Sequence, residues 1–396
     1  MLISNLSCHF RISVNDPTGV RTRCSGVERW QWQTCQTAAP SARGRSELKR
    51  ALIRSVFERT IWWGADGQSI EVIDQTKLPH EATVAIWRTL DDAVEGIRSM
   101  EVRGAPLIGV AAAHGVALAI SEDPNSLDEA CEALASTRPT AVNLAWALRQ
   151  CRERLAAVSA QDRGVAARQF ATELAEADVA ACRRIGEFGV DLIASIHERT
   201  GKPVEVLTHC NAGFLATVEW GTATAPVYVG HERGIPLHVW VSETRPRNQG
   251  AALTTWELGL HGVPHTLIVD NAAGHLLQHG NVDIVITGAD RVASNGDSAN
   301  KIGTYLKALA ARAAGVPFHI AAPASTFDAG CSSGADIPIE ERSGDEVLVV
   351  NGELVAPAGT PVANWGFDVT PAGLITSWIT DRGVLRADQL GTVLDG

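Results

Sequence analysis

The chain has 396 residues, enough for two or three domains, and its 45% apolar and 20% charged residues allow a sizeable buried core. Its 34 basic and 45 acidic residues give a net charge of −11, which argues against non-specific binding to nucleic acid or an anionic membrane. A small anion held by a few local cations remains open, and with only five lysines in the chain each one is informative.

The eight cysteines form no C-x-x-C pair, and no run reaches 18 apolar residues. Polar residues interrupt Met1–Val14, so no signal-peptide core is visible there. These features predict a soluble, cytoplasmic protein of a reducing compartment, with no nucleic-acid or membrane partner.

Residues 1–52 carry three cysteines, scattered Arg, Ser and Thr, and no sustained period, and they read as a disordered or misassigned tail. A transit-like role is the minor alternative. Thr60–Trp63 and Ser69–Ile73 flank the turn Gly64-Ala-Asp-Gly67 and predict a hairpin. Helices are expected at about Leu90–Met100, Leu107–Ile120, Asn143–Val158 and Val165–Ile196. The third aligns Leu144, Leu148, Cys151 and Leu155; the fourth aligns Phe170, Leu174, Ala177, Ala181, Ile185, Phe188 and Leu192. Residues 53–200 therefore read as a smaller, mostly helical N-terminal domain.

The pattern changes at Gly201. Unalternating apolar runs at Val204–Thr208, Leu237–Val241, Thr266–Val269, Val282–Ile286, Pro317–Ala321 and Glu346–Val350 predict buried strands. Helical segments are expected between them near Gly213–Gly221, Gly250–Leu260, Gly274–Leu277 and Ile302–Ala314. The fold class is α/β, with residues 201–396 forming a doubly wound, mainly parallel, Rossmann-like sheet whose ligands bind beyond the carboxyl ends of the strands.

Polar residues collect at those ends: Thr208-His-Cys-Asn-Ala-Gly213, Glu243-Thr-Arg-Pro-Arg-Asn-Gln-Gly250, Asp270-Asn-Ala-Ala-Gly274, and Gly288-Ala-Asp-Arg291 with Asn300-Lys301. Cys210 precedes a small-residue turn into an expected helix, whose amides would lower its thiol pKa; a buried structural cysteine is the equal alternative. Asp290 reads equally as a site carboxyl, a helix cap or a partner of Arg291. Asn300 and Lys301 are expected to open a helix suited to phosphate. Arg103 precedes Gly104-Ala105, whose small side chains would let a ligand reach the backbone.

Other motifs fail. Gly330-Cys-Ser-Ser-Gly334 fits G-x-S-x-G but lacks the strand and helix of a nucleophile elbow. Gly262 and Pro264 break any helix joining His261 to His265. No zinc spacing or phosphate-binding glycine motif is present, so neither metal nor nucleotide cofactor is expected.

With these motifs assembled, the chain from about Arg59 to Val384 resembles the methylthioribose-1-phosphate isomerases. The markers are Ile73-Asp-Gln-Thr-Lys-Leu-Pro79, Val102-Arg-Gly-Ala-Pro106, Thr140-Ala-Val-Asn143, Leu207-Thr-His-Cys-Asn-Ala-Gly213, Glu243-Thr-Arg-Pro246, Thr287-Gly-Ala-Asp-Arg291, Asn300-Lys-Ile-Gly-Thr304, Ile337-Pro-Ile-Glu-Glu-Arg342 and Phe367-Asp-Val-Thr-Pro371. The superfamily also holds ribose-1,5-bisphosphate isomerases and non-catalytic subunits of a translation-initiation exchange factor, which are expected to lack the Cys/Asp pair. The resemblance implies catalysis by Cys210 and Asp290, substrate contacts from Arg103, Gly104, Ala105, Arg138, Gln249, Asn300 and Lys301, a sugar-phosphate substrate, and a homodimer. The chain departs from the family at Val218-Glu219-Trp220, Ala272 and Asn364-Trp365-Gly366, and Glu219 bears on either the local helix packing or the substrate's 5′ end.

The chemistry of that substrate class suits these residues. An aldose 1-phosphate has an esterified anomeric oxygen, so its ring must be opened by protonating the ring oxygen. Hydrogen must then move from C2 to C1. A neutral Asp290 suits the first step, and Cys210 the second, as a base or as a group shielding a direct hydride shift.

Overall fold

A computed structural model describes residues 14–15, 58–350 and 352–394. The expected tail lies outside the described residues, apart from Val14–Asn15 (β1), which pairs in parallel with Val84 and Ala85. The hairpin forms as expected from Ile61–Trp63 (β2) and Ile70–Ile73 (β3), with Asp66 Oδ1 accepting from the amides of Gln68 and Ser69 in the turn. Val84–Trp87 (β4) is an additional strand, and the sheet order is β1-β4-β3-β2.

Five helices follow: Leu90–Ser99 (α1), Ala105–Glu122 (α2), Leu127–Thr137 (α3), Val142–Leu155 (α4) and Ala160–Thr200 (α5). Thr89 and Asp92 form a capping box that starts α1. By length and composition α2 could cross a membrane, but 14 of its 18 residues are buried against the other helices, as in a core helix of a soluble protein. The four residues aligned on α4 are all buried. On α5 the alignment holds at Phe170, Leu174 and Ile185 and fails at Ala177 and Phe188, which are exposed. This helix of 41 residues serves two cores. Its first half packs on α2; its second half meets Ala225–Glu232 (α6), which approaches closely over Gly186 and Gly189. That close approach moves the buried stripe to Gly186, Gly189 and Ile193 and leaves Phe188 outside.

The main sheet contains Val204–Thr208 (β5), Leu237–Ser242 (β6), His265–Ile268 (β7), Ile284–Thr287 (β8), Phe318–Ala321 (β11), Ser377–Thr380 (β16) and Gly383–Leu385 (β17). Their order is β17-β16-β11-β8-β5-β6-β7, parallel except for the β17 edge. Helices cover both faces: α6 and the end of α5 on one, Ala272–Gln278 (α8) and Thr304–Ala314 (α9) on the other. Between β6 and β7 lie a π-turn at Gly250–Thr254 and Thr255–His261 (α7).

Two expectations are corrected. Gly213–Gly221 holds only a single 3₁₀ turn, Phe214–Ala216. Glu346–Val350 is not a sheet strand: Asp345–Leu348 (α10) leads into Val349–Val350 (β13), which pairs with Glu353–Leu354 (β14) in a separate, exposed ribbon. The sixth parallel strand is β16, whose four residues are all buried. A second four-stranded sheet packs at the carboxyl edge, from Arg291–Ala293 (β9), Ser298–Lys301 (β10), Phe327–Asp328 (β12) and Phe367–Thr370 (β15) in the order β12-β9-β10-β15.

Candidate active site

Read from its far edge, the parallel order β7-β6-β5-β8-β11-β16 reverses direction between β5 and β8. Chain connections diverge there, and a crevice opens beyond the strand ends. Cys210 follows β5 and Asp290 follows β8, so the two residues stand on either side of the switch point. The cleft, with its opening to solvent, spans about 750 Å³. All nine residues singled out in the sequence line it: Arg103, Gly104, Ala105, Arg138, Cys210, Gln249, Asp290, Asn300 and Lys301. Arg247, Arg342 and Asn211 also line it and were not singled out. Their signal was present, since Arg247 lies in the strand-end run after β6 and Arg342 closes the Ile337–Arg342 marker.

Cys210 is buried and adopts φ 67°, unusual for a residue with a side chain. Its amide donates to Thr244 Oγ1 at 2.8 Å, and its carbonyl accepts from Thr254 Oγ1 at 2.7 Å. No α-helix begins at the 3₁₀ turn that follows, so the expected thiol-lowering dipole is absent. Burial pushes the thiol pKa up, and the nearby Arg103 and Lys301 pull it back.

Burial likewise raises the Asp290 carboxyl, against the opposing pull of Lys301, Arg138 and Arg103. The alternative ion pair does not form, because Arg291 binds Asp328 instead, with Nε to Oδ2 at 2.9 Å. Asp290 precedes β9 and caps no helix.

Asn300 and Lys301 end strand β10 and do not open a helix. The N-terminus of α9 is closed by Asp368, which accepts from the Gly303 and Tyr305 amides at 2.7 and 3.1 Å. The α-helix N-terminus that faces the cleft is that of α2, which has no side-chain cap. Gly104, with φ 102°, precedes it; a Cβ there would lie 2.5 Å from Ala216 Cα. The glycine is therefore required by chain packing, and it also lines the cleft.

Lys301 Nζ donates to the Gly366 carbonyl at 2.7 Å and lies 4.5 Å from the Phe367 ring centre. Arg138 is largely buried, and burial lowers its pKa. Gln249 Oε1 is buried with no hydrogen-bond partner. An orphaned acceptor and a cluster of cations in one cleft suit a ligand that carries both hydroxyls and an anion. Glu219, which departs from the family pattern, does not line the cleft; its carboxylate meets Arg59 Nε at 2.8 Å. Among the described residues no group of three or more His, Cys, Asp or Glu side chains is placed to hold a metal ion.

The profile of the Initiation factor 2 subunit family matches residues 101–387. A Sinorhizobium medicae methylthioribose-1-phosphate isomerase is 56% identical over 84% of this chain and 95% of its own length. A Rhodospirillum centenum protein of the same name is 53% identical over 86% and 94%. The chain belongs to the methylthioribose-1-phosphate isomerase family. That places it among the aldose–ketose isomerases, a class of intramolecular oxidoreductases. The solved 5-methylthioribose 1-phosphate isomerase of Pyrococcus horikoshii has a TM-score of 0.76 and 41% identity, over 86% of this chain and 96% of that one. An A. fulgidus structure described as translation initiation factor eIF-2B subunit delta has a TM-score of 0.74 and 38% identity, over 85% and 99%. The isomerase family thus shares its fold with chains named for translation.

Proposed function

We propose that this protein converts 5-methylthioribose 1-phosphate into 5-methylthioribulose 1-phosphate, a step of methionine salvage, as a cytoplasmic homodimer. The observation that carries the reading is the placement of Cys210 and Asp290 on opposite sides of the switch point, in a cleft rich in Arg and Lys. Lys301, Arg138 and the open α2 terminus would hold the phosphate. Gln249 Oε1 would accept from a ribose hydroxyl.

Asp290, kept neutral by burial, would protonate the ring oxygen as the C1–O bond breaks. Cys210 would then take the proton from C2, and the enol phosphate would be reprotonated at C1. With the cations neutralising it, the phosphate would resist elimination. The 5′ substituent sits one carbon from C4, beside the ring oxygen, and must therefore emerge near Asp290. The space there, about 520 Å³ including its opening to solvent, is lined by Ile108, Ile337, Pro338, Ile339 and Phe367, and also by Asp290, Arg138 and Arg291. The apolar part of that lining suits a methylthio group.

The raised Cys210 thiol favours a second route, a direct hydride shift from C2 to C1 with the thiol as shield. Purified protein incubated with candidate sugar 1-phosphates in D₂O separates the readings. Ketose formed from the methylthio sugar alone supports the substrate. Solvent deuterium at C1 supports the enol, and its absence supports the hydride shift. No ketose from any of these sugars would overturn the proposal.

A further inference from the structure

Glu257 lies outside the cleft, on α7, and is fully buried. Its Oε2 accepts from Leu215 N and Asn211 Nδ2, both at 3.1 Å, and its Oε1 meets the Tyr228 hydroxyl at 3.0 Å. Asn211 in turn holds Arg103: its carbonyl accepts from Nη1 at 3.0 Å, and its Oδ1 accepts from Nη2. Arg103 Nε donates to Gln75 Oε1 at 3.1 Å, and Gln75 Nε2 donates to the Leu215 carbonyl at 2.7 Å. The circuit closes at Leu215, whose amide returns to Glu257. A branch reaches the Cys210 loop, because Asn211 Nδ2 also donates to Thr254 Oγ1, which donates to the Cys210 carbonyl.

We infer that Glu257 is a positioning residue for the reaction, fixing Arg103 and the Cys210 loop through Asn211 and supplying the buried negative charge that balances Arg103. The inference rests on the isomerase reading above for its catalytic consequence, though not for its electrostatic one. Two features support it. A Cβ at Gly213 would lie 1.4 Å from Glu257 Oε1, so the chain leaves out a side chain where the carboxylate enters. The positive Arg103 side chain is also 8% exposed, and an unbalanced charge there would cost far more than a hydrogen bond.

The charged groups facing Cys210 are Arg103, Lys301 and Asp290. Burial raises the Glu257 carboxyl, and the Leu215 amide, Asn211, Tyr228 and Arg103 pull it back towards the charged form, while His261 stacks on Tyr228 with ring centres 4.4 Å apart. Removing the Glu257 charge leaves Arg103 a stronger cation towards Cys210, so the thiol should ionise at lower pH. A shorter carboxylate keeps the charge and loses reach.

The test uses two variants of the full chain, Glu257→Gln and Glu257→Asp. Alkylation of Cys210 by iodoacetamide is followed against pH by peptide mass spectrometry, without substrate, and kcat/KM is measured alongside. In Glu257→Gln the alkylation midpoint should fall by about half a pH unit or more, as expected for one buried charge at an effective dielectric of about 20. In Glu257→Asp it should stay at the parental value. Both variants should lose about tenfold or more in kcat/KM, the cost of a displaced substrate contact. An unchanged midpoint in Glu257→Gln, or parental kcat/KM in either variant, overturns the inference. If the parent shows no isomerase activity, the proposed function fails, and the alkylation midpoints still decide the electrostatic claim.

Discussion

The Cys210 amide donates to Thr244 Oγ1 at 2.8 Å, and both residues hold positive φ, 67° and 68°. They stand at the ends of the adjacent strands β5 and β6. A β-branched residue rarely adopts this conformation, so the surroundings must impose it. Asp270 does so from just beyond the end of β7, with Oδ1 accepting from Thr244 N at 2.8 Å and from Ser242 Oγ at 2.6 Å. Thr244→Val keeps the shape and removes the acceptor, leaving the Cys210 amide unpaired. We expect a loss of about 1–3 kcal/mol in stability, together with reduced turnover, while Thr244→Ser retains both. Denaturant melts and kcat for the two variants check this; a fully active Thr244→Val would detach the contact from the function.

Lys301→Ala should weaken inorganic phosphate by about tenfold or more, the size of a lost charge-assisted contact. Lys301 is 8% exposed and its Nζ lies over Phe367, so its charge is held in the cleft and not in solvent. Calorimetric titration of phosphate into the folded variant reads this directly, and unaltered affinity removes Lys301 from the site.

The site was more legible than the elements that carry it. Strand ends marked by polar residues identified Cys210, Gln249, Asp290 and Lys301, because a parallel sheet sends its loops to one edge whatever their exact conformation. The local setting was less legible. Cys210 and Lys301 were both assigned to helix starts, and neither position follows from local propensity. A π-turn, a 3₁₀ turn and a second small sheet decide them, and all three depend on long-range packing. Glu346–Val350 has the composition of a strand, but its pairing partner, Glu353–Leu354, lies nearby in an exposed ribbon and not in the main sheet. Glu257 carried no motif signal at all, since its role depends on Asn211 and Leu215, far away in sequence.

Cys210→Ser should abolish most turnover while substrate still binds, because a hydroxyl is far too weak an acid to serve as the base. Cys182 is fully buried on α5 beside Asp178, and Cys151 packs inside the N-terminal core. Serine at either position should lower the melting temperature more than the rate. Substrate should also protect Cys210 from alkylation. Near-parental turnover in Cys210→Ser would exclude both of its proposed roles.

Asp178 gives a stability test independent of the reaction. It accepts from the Val218 amide at 2.7 Å, and burial raises its carboxyl to about 7. Its folded value lies above its unfolded one, so the folded state binds the proton more tightly. Stability conferred by this group is therefore greatest below about pH 4, falls as pH rises towards about 7, and is level above that. Asp178→Asn keeps an acceptor for Val218 and removes the titration. Relative to the parent it should gain about 2–4 kcal/mol between pH 4 and pH 8. Denaturant melts at the two pH values measure the gain; parallel changes in parent and variant would mean that Asp178 does not titrate in this range.

Asp290→Asn tests the mechanism most directly. Burial raises both the Asp290 carboxyl and the Cys210 thiol, and the pair loses its two protons in succession as pH rises, passing through a form that holds one. In the proposed enol route the productive form carries that proton on Asp290 and leaves Cys210 as thiolate. Turnover in the parent should therefore rise as the first proton leaves the pair, hold across the plateau, and fall at high pH as the second proton leaves. Asn is nearly isosteric and donates no proton of useful acidity, so the variant should fold, bind substrate and lose on the order of 10²-fold or more in turnover. Its residual rate depends on the Cys210 thiolate alone and should climb with pH over the range in which the parent declines. The two pH–rate profiles, measured side by side, decide the matter. A variant with a small loss and the parental alkaline limb would mean that another group opens the ring.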